Sequence, residues 1–97
     1  MSRVGCYICN YNGKDYAGKC IQSVLEQVKI DENFRLYLVD NASTDGTGEY
    51  IRERFKEQVC IIQNPINRGG AGGFNTALKD AIDRNYDYVI LLDNDII

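Results

Sequence analysis

An α/β fold, a parallel sheet with strands and helices alternating along the chain, is what this sequence predicts. Two observations carry the expectation. Short apolar runs recur four times, at Val4–Cys9, Leu36–Val39, Val59–Ile62 and Tyr88–Leu92. Between them lie segments whose apolar residues recur at three- and four-residue spacing, the period of a helix with one buried face. The order βαβαβαβ with short connections implies parallel strands joined by right-handed crossovers.

The elements follow in turn. Val4–Cys9 forms the first strand. Ala17, Cys20, Ile21, Val24, Leu25 and Val28 mark the first helix, with Asp15 as its cap or first-turn acid. Leu36–Val39 is the second strand. The stretch Asn41-Ala42-Ser43-Thr44-Asp45 is rich in capping residues and leads into a helix with Tyr50, Ile51 and Phe55 inward. Val59–Ile62 is the third strand. A glycine-rich loop follows, and Phe74, Ala77, Leu78, Ala81 and Ile82 mark the third helix. Tyr88–Leu92 is the fourth strand, and its unbroken apolar run suits a strand covered on both faces.

Composition narrows the function. A chain of 97 residues holds one small domain with a single core. The net charge of −3 comes without any basic stripe, which speaks against a nucleic-acid partner. No apolar run is long enough to span a bilayer, and the opening Met1-Ser2-Arg3-Val4-Gly5 does not resemble a signal peptide, so the expected location is cytoplasmic. Of the four cysteines, Cys6 and Cys9 form a CxxC within the first strand, where residues three apart face opposite sides. A redox CxxC belongs at a helix N-terminus, and a zinc site needs further ligands. Reduced thiols serving as small core residues are therefore expected.

In an open parallel sheet, ligands bind beyond the carboxyl ends of the strands. Those ends here carry Asn10-Tyr11-Asn12-Gly13, Asp40 to Gly46, Asn64 to Gly73, and Asp93-Asn94-Asp95. Every strand thus delivers polar or flexible residues to one edge. Asp93 and Asp95, two apart after an apolar strand, are hard oxygen donors suited to Mg²⁺ or Mn²⁺. A plain polar turn is the other reading of the pair, and position on the shared edge favours the metal. Asp40 either caps the following turn or accepts hydrogen bonds from a base or ribose. Asn67-Arg68-Gly69-Gly70-Ala71-Gly72-Gly73-Phe74-Asn75 combines close backbone approach with a helix N-terminus that attracts anions. Several of its glycines are expected to let the third helix lie tightly on the sheet. Neither a G-x-G-x-x-G after strand one nor a GxxxxGK[ST] is present, which argues against a dehydrogenase or a P-loop protein.

Four segments together resemble family 2 glycosyltransferases: Val4–Asn12, Leu38–Thr47, Asn67–Leu78 and Leu91–Asp95. The resemblance implies a Rossmann-like GT-A fold, cut short after the DxD, with residues 1–97 as its nucleotide-sugar-binding portion. It implies inverting transfer of a sugar from a nucleoside diphosphate (UDP- or dTDP-linked) to a glycan or lipid-linked acceptor, with Mg²⁺ or Mn²⁺. Tyr11 and Asp40 match positions that hold the base, and Asp93 and Asp95 match the metal-binding DxD. The expected donor site comprises Asn10, Tyr11, Asn12, Asp40, Asn41, Ser43, Asp45, Asn67, Arg68, Gly69, Asn75, Asp93 and Asn94. A general base is expected beyond Ile97, and a parent enzyme at the inner face of the membrane. Cys9 stands where the family commonly has proline. The Gly70-Ala71-Gly72-Gly73-Phe74 stretch replaces a small-residue run followed by arginine, and is similar to members that transfer galactofuranose or rhamnose. A non-catalytic nucleotide-binding βαβ module is the competing expectation, and self-association of the isolated chain is expected from its uncovered edge.

Overall fold

The computed structural model describes residues 2–93. Its elements are β1 (Val4–Asn10), α1 (Lys14–Gln27), β2 (Phe34–Asp40), α2 (Thr47–Phe55), a 3₁₀ turn (Lys56–Gln58), β3 (Cys60–Gln63), α3 (Gly69–Asp83) and β4 (Tyr88–Asp93). All strand pairs are parallel, in the order β3-β2-β1-β4. The alternation of strand and helix is as the periodicity predicts.

Alternate residues of the strands feed two cores. Cys6 and Ile8 of β1 and Leu36 and Leu38 of β2 pack with Ala17 and Ile21 of α1 and Ile51 and Phe55 of α2. Tyr7, Cys9, Tyr37 and Val39 point the other way, onto Ala77 and Ala81 of α3. Two helices thus cover one face and one covers the other. Burying a side chain such as Ile21 or Ile51, both fully inaccessible, contributes about 1.5–3 kcal/mol. Cys6 and Cys9 fall in different cores, and none of the four sulfurs is joined in a disulfide. Cys20 and Cys60 are only half-buried.

The α3 face also holds a polar cluster. The Tyr7 hydroxyl donates to Asp80 Oδ2 at 2.7 Å, and Arg84 Nε donates to the same oxygen at 2.8 Å. The Tyr7 and Tyr37 rings stack with centroids 4.5 Å apart, and the Tyr37 and Tyr86 hydroxyls share a short hydrogen bond. Burial, reinforced by the bond to Asp80, pushes the Tyr7 hydroxyl far above its usual titration range. These groups satisfy the buried hydroxyls of β1 and β2 beneath α3.

Two expectations need correction. The glycine-rich stretch is not a loop, because α3 already begins at Gly69. Gly69 itself is left-handed, with φ of +74°. Gly73 lies over β1, where an added Cβ would sit 3.6 Å from the Cys9 Cβ, so small residues let this helix approach the sheet. The fourth strand is not covered on both faces. Tyr88 is 63% exposed and Ile90 is 42% exposed. Register with Val4 and Cys6 puts both on the α1/α2 face, where Leu92 but neither of these two packs against the core under those helices.

Candidate functional site

The strand order reverses at β1: the chain first builds outward through β2 and β3, then returns to place β4 on β1's other side. In open parallel sheets ligands bind beyond the carboxyl ends of the strands at such a point. Asn10, Asp40 and Gln63 are register partners across β1, β2 and β3, so three polar side chains end these strands at one level. Asp93 ends β4 opposite Cys9, one step lower. Asn10 and Asp40 are strand residues and are buried, at 1% and 2% exposure. Asp40 Oδ1 accepts the Ser43 N–H at 3.1 Å. Its other oxygen borders a hollow of about 390 Å³ shared with Ser43, Thr47, Gly48, Arg52 and Gln63.

The loops after β1 and β2 are laced together. Asn12 N–H donates to Ser43 Oγ at 2.9 Å, and Asn12 Oδ1 accepts the Thr44 N–H at 2.7 Å. Asp45 Oδ2 accepts the Lys14 N–H at 3.3 Å, while Oδ1 accepts the Thr47 N–H at 3.0 Å and the Thr47 hydroxyl. The Asp45–Thr47 bond is an Asx turn that starts α2. Desolvation pushes the Asp45 carboxyl up. Hydrogen bonds from the Thr47 hydroxyl and from backbone N–H groups outweigh it, and hold the group below the usual carboxylate range.

Asn41 ties β2 to the segment leading into α3. Its Nδ2 donates to Asn67 Oδ1 at 2.9 Å and to the Gly69 carbonyl at 3.1 Å. Its Oδ1 accepts from Asn64 Nδ2 at 3.2 Å and from the Arg68 N–H at 3.0 Å. An asparagine amide has two donors and two acceptor lone pairs, so all four are used by the chain itself. Asn67 Oδ1 also accepts the Gly69 N–H at 2.8 Å. The next residue, Ala42, takes a left-handed φ of +65°, a conformation that costs an alanine about 1–2 kcal/mol. The surrounding hydrogen bonds hold it there.

Beside β3, a second hollow of about 740 Å³ runs along α3 past Asn64, Arg68, Asn75, Thr76 and Lys79. Arg68 packs so closely on the first turn of α3 that a Cβ at position 72 would fall 2.2 Å from its own, which explains Gly72. Tyr11 follows β1 and is 36% exposed.

The expected site residues therefore divide. Asp40, Ser43 and Asp93 reach the sheet edge, with Tyr11 exposed beside it. Asn12, Asn41, Asp45 and Asn67 spend their side chains on neighbouring loops. Arg68 and Asn75 line the hollow on the α3 side, not the one at Asp40. Asn94 and Asp95 lie outside the described residues. Among the described residues no three acids or thiols gather as a metal cage. Asp93 supplies a single carboxylate at the strand end, which is the donor chemistry a hard divalent ion takes, with waters and phosphates completing its shell. Gln63 was not expected, its sequence sign being its place directly after an apolar run, and Asn64 was expected only as the first residue of the segment after the third strand.

An open α/β domain whose strand-end edge lies at a topological switch point is the class that this fold defines. The chain belongs to the glycosyl transferase family 2, whose family model matches residues 6–97. It is 34% identical over 95 residues to an Escherichia coli protein named as a UDP-Glc:alpha-D-GlcNAc-diphosphoundecaprenol beta-1,3-glucosyltransferase, covering 98% of this chain and 36% of that one. Among solved structures it resembles S. aureus TarS in complex with UDP-GlcNAc, with a TM-score of 0.79, 25% identity, and coverage of 96% and 26%. It also resembles a mannosyltransferase from Pyrobaculum calidifontis in complex with GDP-Man and Mn²⁺, with a TM-score of 0.71, 28% identity, and coverage of 81% and 24%. The chain thus spans between 24% and 36% of the length of these three proteins. These neighbours share the GT-A fold.

Proposed function

We propose that this chain is the donor-binding portion of an inverting glycosyltransferase that moves a sugar from a nucleoside diphosphate to a glycan or lipid-linked acceptor hydroxyl. The observation that carries the reading is that Asn10, Asp40 and Asp93 end β1, β2 and β4 along one edge of the sheet, at the switch point. In it, Asp40 receives hydrogen bonds from the base or ribose, and Tyr11 stacks on the base. Asn41 and Asn67 fix the start of α3 through the Arg68 N–H, the Gly69 N–H and the Gly69 carbonyl, so that this helix N-terminus meets the anionic diphosphate. Asn12, Ser43 and Asp45 keep the two base-side loops at a fixed separation.

Asp93 and Asp95 would hold a Mg²⁺ or Mn²⁺ ion, whose charge would offset that of the leaving diphosphate. The need is electrostatic: Asp40, Asp93 and Asp95 would otherwise repel such a donor. The complex of the similar mannosyltransferase with GDP-Man and Mn²⁺ supports this part. A lipid-linked acceptor is supported by the GlcNAc-diphosphoundecaprenol in the name of the Escherichia coli relative, and in this reading the parent enzyme works at the inner face of the membrane. Among the described residues no helix is long and apolar enough to cross a membrane.

Titration calorimetry with UDP, with and without Mn²⁺, tests the reading. Metal-dependent binding that Asp40→Ala weakens, with Mn²⁺ affinity nearly intact, is the expected outcome. Binding that ignores both Mn²⁺ and Asp40 would instead indicate a non-catalytic nucleotide module.

A further inference from the structure

We infer that Gln63 is a second reader of the nucleobase edge, acting beside Asp40 across a gap that Gly48 keeps open. This inference rests on the base-side role of Asp40 proposed above. Asp40 and Gln63 are register partners at the ends of β2 and β3, and lie on the same face as Leu38 and Ile61, the side of α2. Both line the hollow of about 390 Å³. Gly48, in the first turn of α2, is where the two meet. A Cβ built there would lie 3.1 Å from Asp40 Oδ2 and 3.2 Å from Gln63 Oε1. The two polar groups therefore converge on one point that carries no side chain.

Each keeps hydrogen-bonding capacity toward the hollow. Asp40 uses Oδ1 on the Ser43 N–H and leaves Oδ2 on the hollow. The Gln63 amide makes no side-chain hydrogen bond among the described residues, and the residue is exposed at the end of an edge strand. A carboxylate accepts only, whereas an amide offers both a donor and an acceptor. Together they complement an N–H flanked by a carbonyl, the edge that uracil, thymine and guanine share. Asp40 accepts from the ring N–H, and the Gln63 NH₂ donates to the adjacent carbonyl. Cytosine presents a ring lone pair and an exocyclic amine instead, which repels Asp40 and requires the Gln63 amide to turn over.

The test compares UDP, CDP and inorganic pyrophosphate, each with Mn²⁺, on the unaltered chain and on Gln63→Leu, Gln63→Glu and Asp40→Ala. Because Gln63 is exposed and its side chain is unbonded, the first two variants keep the fold. Gln63→Leu is expected to lower UDP affinity about tenfold, the effect of one lost hydrogen bond to a desolvated partner, without changing pyrophosphate affinity. Gln63→Glu turns a carboxylate toward the uracil carbonyl but can accept from the cytosine amine, so the UDP:CDP affinity ratio falls about tenfold or more. If both variants keep the UDP affinity and the ratio while Asp40→Ala still weakens UDP, Gln63 reads nothing and the Asp40 assignment stands. If UDP binds the unaltered chain no more tightly than pyrophosphate, the base-side reading falls and the Gln63 inference falls with it.

Discussion

Replacing Asn41 by alanine separates a clamp from a ligand contact. The amide makes four hydrogen bonds of 2.9–3.2 Å and is 5% exposed. At roughly 0.5–1.5 kcal/mol net each, the four would sum to about 2–6 kcal/mol. The partners on Asn67, Arg68 and Gly69 lie in exposed residues and recover bonds to water, so their share falls at the low end. Asn64 is 6% exposed, and stranding its Nδ2 carries the larger penalty of about 1–3 kcal/mol. The expected loss for Asn41→Ala is therefore about 2–4 kcal/mol, a large share of the roughly 5–15 kcal/mol available to a domain. Urea unfolding measures it, and hydrogen exchange of the Arg68 and Gly69 amides should quicken in parallel. Asn41→Asp adds a sign check. It keeps the acceptors but sets a carboxylate against Asn67 Oδ1 and the Gly69 carbonyl, so its stability should partly recover when the new group is protonated at low pH. A loss below about 0.5 kcal/mol, with nucleotide binding abolished, would refute the clamp and make Asn41 a direct contact.

Three further outcomes are expected. Asp95→Asn should weaken Mn²⁺-dependent nucleotide binding by about 1–3 kcal/mol, and unchanged metal dependence in calorimetry would remove the metal assignment. Thiol titration of the denatured chain should find four free thiols. In the native chain, burial first and then neighbouring Cys20 push Cys6 up to about 11, so it should resist alkylation at pH 8. The linkage has a definite sign: the unfolded thiol ionises near 9.0 while the folded one stays protonated, so this contribution to stability is intact below pH 9 and is lost as pH rises toward 11. Finally, the open edge of β4, with Tyr88 and Ile90 exposed on one face, should drive self-association of the isolated chain, and sedimentation showing a monomer at high concentration would contradict it.

What the sequence determined by itself is what local periodicity encodes. Each apolar run of β1 and β2 is unbroken because alternate residues enter two different cores, so Cys6 with Ile8 and Tyr7 with Cys9 were legible as strand before their destinations were known. The family segments and the polar strand ends were legible for the same reason, since ligand edges in parallel sheets follow apolar runs directly. Tertiary structure decided the rest. The unbroken run of β4 suggested double coverage, yet coverage depends on where α1 and α2 land, and they leave Tyr88 and Ile90 open. Residues 69–73, four glycines and Ala71, have loop propensity, yet they form the start of α3, with Gly73 set over Cys9 of β1. Asn41 and Asp45 looked like ligand contacts because their partners lie up to 31 residues away in the chain. Gln63 became visible only when β3 paired with β2 and set it beside Asp40. Periodicity is a property of neighbours in sequence, whereas the spending of a polar group is settled by whichever distant backbone or side chain arrives to meet it.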